Sequence, residues 1–196
     1  TFSWRHQNLE LLMGVKALTS RPLLRAKNTW WARGRRLSWA SAGISKQTVK
    51  ILDVGCGVNK YPGAIGVDIN AATAADVICD LDRFPYPVAD GSFDSIRVIH
   101  VIEHLTDVIR AMEEFHRLAR PGGRVRIETP HYTDFSSFCD PTHKHHLNSF
   151  SFRYFGANDA GFGYYTTAKF REISIRVRLL SVWRWLGFQA LVNTFP

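Results

Sequence analysis

At 196 residues with 45% hydrophobic content, the chain has enough apolar material for one domain with a real core, which excludes a fibrous or wholly disordered protein. Three cysteines exclude a disulfide framework and fit a reducing compartment, so a cytoplasmic location is expected, and no apolar run reaches the roughly 18 residues of a spanning helix. The net charge of +8 sits in residues 1–48, which hold nine Lys or Arg against one acid, while residues 49–196 balance at 16 of each, so nucleic acid is not an expected partner of the body.

The first 48 residues read as a basic arm, disordered or non-native. Leu9, Leu12, Met13 and Lys16 fit one side of a short helix over 8–19. Pro22 and Gly34 interrupt the remainder of the arm. Trp30, Trp31, Arg33, Arg35, Arg36 and Trp39 suit weak contact with a membrane surface. The body, 49–196, alternates strand and helix signals, which argues for a parallel sheet. Strands are predicted over 49–54, 65–69, 76–80, 93–99, 123–130 and 170–179. A helix is predicted over 106–120, where Leu105, Val108, Ile109, Met112, Phe115 and Leu118 recur at helical spacing. Pro121-Gly122-Gly123 stops it. Residues 183–192 read as a further helix.

The first two strands carry the most specific signal. Ile51-Leu52-Asp53-Val54 runs into Gly55-Cys56-Gly57, and Ile65-Gly66-Val67 ends on Asp68. Glycines at such a turn let backbone N–H groups approach a ligand closely. An acid at the end of the second strand can accept both hydroxyls of a ribose. A dinucleotide site wants G-x-G-x-x-G, whereas Lys60 stands where the third glycine would be. This weakens the alternative of an NAD(P)-dependent oxidoreductase.

The Asp53-to-Asp68 string resembles motif I of the S-adenosylmethionine-dependent methyltransferases with a Rossmann-like fold. The resemblance continues in order through Cys79–Tyr86, Gly91–Ile96, His100–Leu105 and Arg117–Val125. It implies an α/β three-layer sandwich with a mostly parallel twisted sheet and S-adenosylmethionine as cofactor. Two departures from the family are expected. Only ten residues, Gly55 to Ala64, link the first two strands, fewer than the dozen or so of a parallel crossover, so the first helix is shortened or absent. No seventh strand is visible after residue 179, so the last strand is expected to be missing, with the domain truncated at its C-terminal end or the strand supplied from elsewhere.

The resemblance also implies roles. Asp53, Gly55, Gly57 and Asp68 would bind the cofactor, with Asp68 on the ribose and Asp53 supporting the loop and facing the amino group. Asp80 would meet the adenine amino group, with Leu81 on its face, and Asp82 is the weaker candidate. His100, Glu103 and His104 follow the fourth body strand, where the family places residues near the methyl group, and His100 is counted with the cofactor-binding residues. The stretch His131 to His146 follows the fifth. Its Asp140-Pro141-Thr142-His143 turn resembles a segment of bacterial methyltransferases related to polysaccharide and small-molecule enzymes. His143, His104 and His131 are the catalytic candidates, with His143 as base or hydrogen-bond donor. Asp140, His143 and His145 have a spacing that permits a metal, but no metal is expected. The expected function is methyl transfer to a small-molecule or sugar-containing acceptor. The rival from another class is a protein that binds S-adenosylmethionine without catalysis.

Overall fold

In the computed structural model the described residues are 8–15, 49–156, 163–179 and 181–194. The strands are β1 (Asn8–Val15), β2 (Ile51–Val54), β3 (Ile65–Asp68), β4 (Val77–Ile78), β5 (Phe93–Ile99), β6 (Ala119–Pro130) and β7 (Phe170–Arg178). They form one seven-stranded sheet in the order β4-β3-β2-β5-β6-β1-β7. From β4 across to β6 every pairing is parallel, and β1 runs antiparallel to both β6 and β7. The body strands expected from sequence are all present, although β4 is only two residues long.

Of the segment expected as a helix over 8–19, the described residues 8–15 form instead the strand β1, in the sheet interior. Both readings were open to its residues. Leu9, Leu12, Met13 and Lys16 fit a helical stripe, and Leu9, Leu11, Met13 and Val15 alternate at period two. The slot between β6 and β7 decides for the strand, because it supplies hydrogen bonds on both edges. Leu9, Leu11 and Met13 are at most 1% exposed there. The seventh strand is therefore not missing: it comes from the N-terminal segment. The Trp30–Trp39 stretch of the arm lies outside the described residues.

Alternation gives the sheet one apolar and one polar face. Leu9, Leu11, Leu52, Val54, Ile96, Val98, Val125 and Ile127 point to the core. On that side lies helix α1 (Val108–Leu118), which buries Ala111, Met112, Phe115 and Leu118. Asp107 caps α1, its Oδ1 accepting the Arg110 N–H at 2.9 Å. The helix stops at Ala119, where β6 begins, so β6 is longer than its expected 123–130.

On the opposite face Arg126 pairs with Glu10 at 2.6 Å and Glu128 at 3.4 Å. The four-residue helix α2 (Ser136–Cys139) follows β6, and the short helices α3 (Ser181–Trp185) and α4 (Phe188–Thr194) flank that polar face beside β7. Among the described residues the expected third layer is thus only partly built. The shortened first crossover is borne out: residues 55–64 form turns and no helix.

Candidate functional site

The carboxyl edge of β2 and β3 builds a corner. Gly55 and Gly57 have φ of 61° and 54°, the left-handed region that glycine enters without cost. A Cβ on Gly55 would lie 2.3 Å from Val101, whereas one on Gly57 would meet nothing within 4 Å. Open space therefore adjoins the Gly57 position. The Gly57 N–H donates to Asp68 Oδ2 at 2.9 Å, and the Asn70 N–H donates to Oδ1 at 2.9 Å. A carboxylate has about four lone-pair sites, so roughly two remain on Asp68 for hydroxyl donors. Glycine backbone, open space and a half-free carboxylate fit the ribose end of S-adenosylmethionine.

Asp53 stands behind this corner. It is 5% exposed. Its Oδ2 accepts the Tyr61 N–H at 2.7 Å, and Oδ1 lies 3.5 Å from Arg97 Nε. The Arg97 guanidinium in turn stacks 4.2 Å from the Tyr61 ring centre. Asp53 thus braces the short crossover, and its carboxylate is engaged there rather than turned to a ligand's amino group. Asp80 is half-buried; its Oδ1 accepts the Asp82 N–H at 3.0 Å and Oδ2 pairs with Arg83 at 3.1 Å. Leu81 is 8% exposed and belongs to the core cluster, so it offers little face to an adenine. Asp82 ties three segments together: it accepts from the Thr106 N–H and hydroxyl at 2.7 Å each and from Lys144 Nζ at 3.0 Å.

The carboxyl edge of β5 and β6 builds a second group of residues. A cavity of about 330 Å³ is lined by His100, Glu103, His104, Ser136, Asp140 and His143, among others. His100 has φ of 54°, unusual outside glycine but tolerated by histidine. Its N–H donates to the Glu128 carbonyl at 2.8 Å. A 3-10 turn over Ile102–His104 buries Glu103 to 1% exposure. The Glu103 carboxylate raises the His100 pKa against the opposing pull of burial.

His104 and His143 sit edge to face, ring centres 4.7 Å apart. The His143 Nδ1 meets the Ser137 carbonyl at 3.0 Å. A carbonyl only accepts, so Nδ1 carries the proton. The Thr142 hydroxyl donates to Asp140 Oδ1 at 2.6 Å, so it accepts from His104 Nδ1 at 3.0 Å. In the neutral ring each histidine therefore presents Nε2 as its acceptor nitrogen. The Thr142 hydroxyl and backbone N–H also hold the Asp140 carboxyl below its ordinary pKa.

His131 is placed differently. Its ring is buried, bonded through Nδ1 to Thr133 Oγ1 at 2.7 Å, and burial lowers its pKa. The neighbouring Pro130 lines the cavity, and His131 does not. The triad Asp140, His143 and His145 does not converge either. Asp140 Oδ2 is 3.8 Å from His143 Nε2, but among the described residues the group that gathers is Glu103, His104 and His143. Glu103 was visible in sequence as part of His100–Leu105, yet nothing there showed that it would be buried. A larger cleft of about 630 Å³, lined by Glu10, Arg176, Arg178 and Arg184, opens on the polar sheet face and not at this edge.

A mostly parallel sheet with a glycine corner and acid at its carboxyl edge defines an α/β domain of the cofactor-binding class. A family model described as "Methyltransferase domain" matches residues 26–173, and the chain belongs to that family, the S-adenosylmethionine-dependent methyltransferases. It is similar to a probable S-adenosylmethionine-dependent methyltransferase of Mycolicibacterium smegmatis, 30% identical over 152 residues, which are 65% of this chain and 57% of that protein. It is also similar to the ubiquinone/menaquinone biosynthesis C-methyltransferase UbiE of Burkholderia cenocepacia, 25% identical over 146 residues, 60% of this chain and 57% of that protein. The chain therefore spans little more than half the length of these curated relatives. Among solved structures it resembles a SAM-dependent methyltransferase from Archaeoglobus fulgidus, with 23% identity and a TM-score of 0.48 over 56% of this chain and 59% of that one. No described helix is long and apolar enough to cross a membrane.

Proposed function

We propose that this chain transfers a methyl group from S-adenosylmethionine to a small-molecule or sugar-containing acceptor. The observation that carries this reading is the shared carboxyl edge, where the Gly57–Asp68 corner and the histidine-lined cavity lie at the ends of neighbouring parallel strands. Ligands bind along this edge in open α/β sheets. The cofactor supplies an electrophilic methyl group on a sulfonium. Asp68 would accept the ribose hydroxyls, with Gly57 leaving room for them. Asp53 would act as a positioning residue through the Tyr61 turn. Asp80 would reach the adenine end, and His100 would stand at the boundary between donor and acceptor.

An in-line displacement needs the acceptor atom held about 3–3.5 Å from the methyl carbon. Glu103, His104 and His143 supply the polar wall for that task. Their cavity of about 330 Å³ is at the small end of ligand pockets, a size that suits one small molecule or one sugar unit. With Nδ1 of His104 and His143 bonded to the protein, the Nε2 atoms of the neutral rings would be the nitrogens able to take a proton from an acceptor. His131 has no part in this reading.

Calorimetric titration with S-adenosylhomocysteine and, separately, with NAD tests it. S-adenosylhomocysteine is expected to bind and NAD to give no heat. Binding of NAD alone would return the corner to the oxidoreductases.

A further inference from the structure

We propose that Glu103, His104 and His143 form a binding site for one divalent first-row transition ion of the zinc type. The starting point is a buried charge. Glu103 is 1% exposed, and neither of its carboxylate oxygens accepts a hydrogen bond. The nearest cationic group, His100 Nδ1, stands 3.4 Å from Oε1. Buried carboxylates are normally paired, fully hydrogen-bonded or bound to metal.

The two histidines are prepared in the way that metal ligands are. Each commits its Nδ1–H to the protein, His143 to the Ser137 carbonyl at 3.0 Å and His104 to Thr142 at 3.0 Å on its hydroxyl and 3.3 Å on its carbonyl. Such outer bonds fix the tautomer and leave Nε2 as the donor atom. One potential ligand atom from each of Glu103, His104 and His143 lies within 4.8 Å of the others. A tetrahedral ion with ligands at about 2.1 Å spaces them about 3.4 Å apart. Closure thus requires shifts on the order of 1 Å, within reach of side-chain rotation.

The backbone holds the group together across the sequence. The Lys144 and His145 N–H groups both donate to the Glu103 carbonyl, at 2.8 and 3.2 Å. They pin the 140–146 loop over the turn that carries Glu103 and His104. Two imidazoles and one carboxylate are an N/O set suited to zinc. Three protein ligands leave a fourth position, which here opens on the cavity, the arrangement of catalytic rather than structural sites. The fourth position would hold an oxygen of the methyl acceptor, activated there by the ion in place of proton transfer to the two histidines, whose Nε2 lone pairs the ion would occupy; that role alone rests on the methyltransferase reading. The ion site replaces the sequence-based expectation that no metal binds, and it uses Glu103 where the D-x-x-H-x-H spacing pointed to His145.

The test uses the full chain stripped with a chelator. Zinc is titrated by calorimetry, and cobalt(II) by its visible absorption. One ion per chain is expected, with cobalt bands of a four- or five-coordinate site. Glu103→Gln, His104→Ala and His143→Ala should each weaken binding at least about tenfold, since even outer-shell losses cost 10–100-fold. A wild-type chain that takes up neither ion stoichiometrically overturns the site, whatever the variants do. Binding that survives all three substitutions places the ion elsewhere and overturns it too. A parallel titration with S-adenosylhomocysteine separates the two readings. Donor binding without ion uptake leaves the methyltransferase function and removes the metal, and the opposite result does the reverse.

Discussion

At the scale of single residues, Asp68 is the residue proposed to join the glycine corner to the donor. Its carboxylate already holds two backbone N–H groups, so it is fixed before any ligand arrives. Losing its charge-assisted bonds to a ribose should cost roughly 1.5–3 kcal/mol, about one to two decades in affinity. Asp68→Ala is expected to weaken S-adenosylhomocysteine by that factor in calorimetry. Asp68→Asn, which keeps one acceptor oxygen, should lose less. Equal affinity in all three proteins would remove Asp68 from the ribose. His143 is proposed to stand on the acceptor side. As a base, His143 would contribute about 10²–10⁴-fold, so with no ion bound His143→Ala should lower methyl transfer by that factor while S-adenosylhomocysteine affinity stays near wild type, once an acceptor has been found by screening. Full turnover in that variant would reduce the 140–146 loop to scaffolding.

At the scale of elements, β1 is the part whose importance is least apparent from its position in the chain. It fills the sheet between β6 and β7, pairing over seven and eight residues respectively. Removing residues 1–15 would leave two long strand edges unpaired, a setting for aggregation. The truncated protein is expected to lose cooperative unfolding and S-adenosylhomocysteine binding together. A soluble truncated protein that still binds would show β1 to be dispensable. The milder Leu11→Ala, at a side chain 1% exposed, should cost about 2–5 kcal/mol in urea unfolding. The outer edge of β7 is guarded by side chains of α4. Asn193 Oδ1 accepts the Val177 N–H at 2.9 Å, and Gln189 Oε1 accepts the Leu179 N–H at 2.9 Å. These amides occupy groups that a further strand would otherwise seek.

At the scale of the whole molecule, two carboxylates join segments distant in sequence and set the response to acid. Burial pushes the Glu114 carboxyl up, but the Arg117 guanidinium at 2.6 Å and the Tyr86 N–H at 2.8 Å outweigh it, so its pKa is lowered. Burial likewise opposes Asp82, and Thr106 with Lys144 wins, again downward. A folded-state pKa below the unfolded one means that the unfolded state binds more protons in acid. The stability these groups contribute is full above the ordinary carboxylate values near about 4 and is lost as pH falls through the folded values. The melting temperature should therefore drop on acidification below about pH 5. Glu114→Gln should be less stable than wild type at pH 7 and show a shallower fall. An acid limb unchanged by that substitution would assign the pH response to other groups.

Much of this protein is local and could be read from sequence. The strands β2, β3 and β5 rest on alternation and short apolar runs, and α1 on its repeat of Met112, Phe115 and Leu118. The short crossover follows from a residue count, and the Gly55–Gly57 turn with Asp68 from spacing alone. Such features depend on neighbours a few positions away, so the order of residues is enough to specify them. The rest depends on partners far along the chain. Residues 8–15 satisfy both the helical and the extended period, and the choice falls to the open slot between β6 and β7, where two edges offer hydrogen bonds at once. Glu103 reads as one acid in a short motif until the 140–146 loop, pinned by the Lys144 and His145 N–H groups, packs over it. Desolvation of a charge is set by whatever comes to cover it. The sequence by itself therefore determined the Gly55–Asp68 corner, whereas only the tertiary structure decided which strand completes the sheet and where a buried carboxylate meets two histidines.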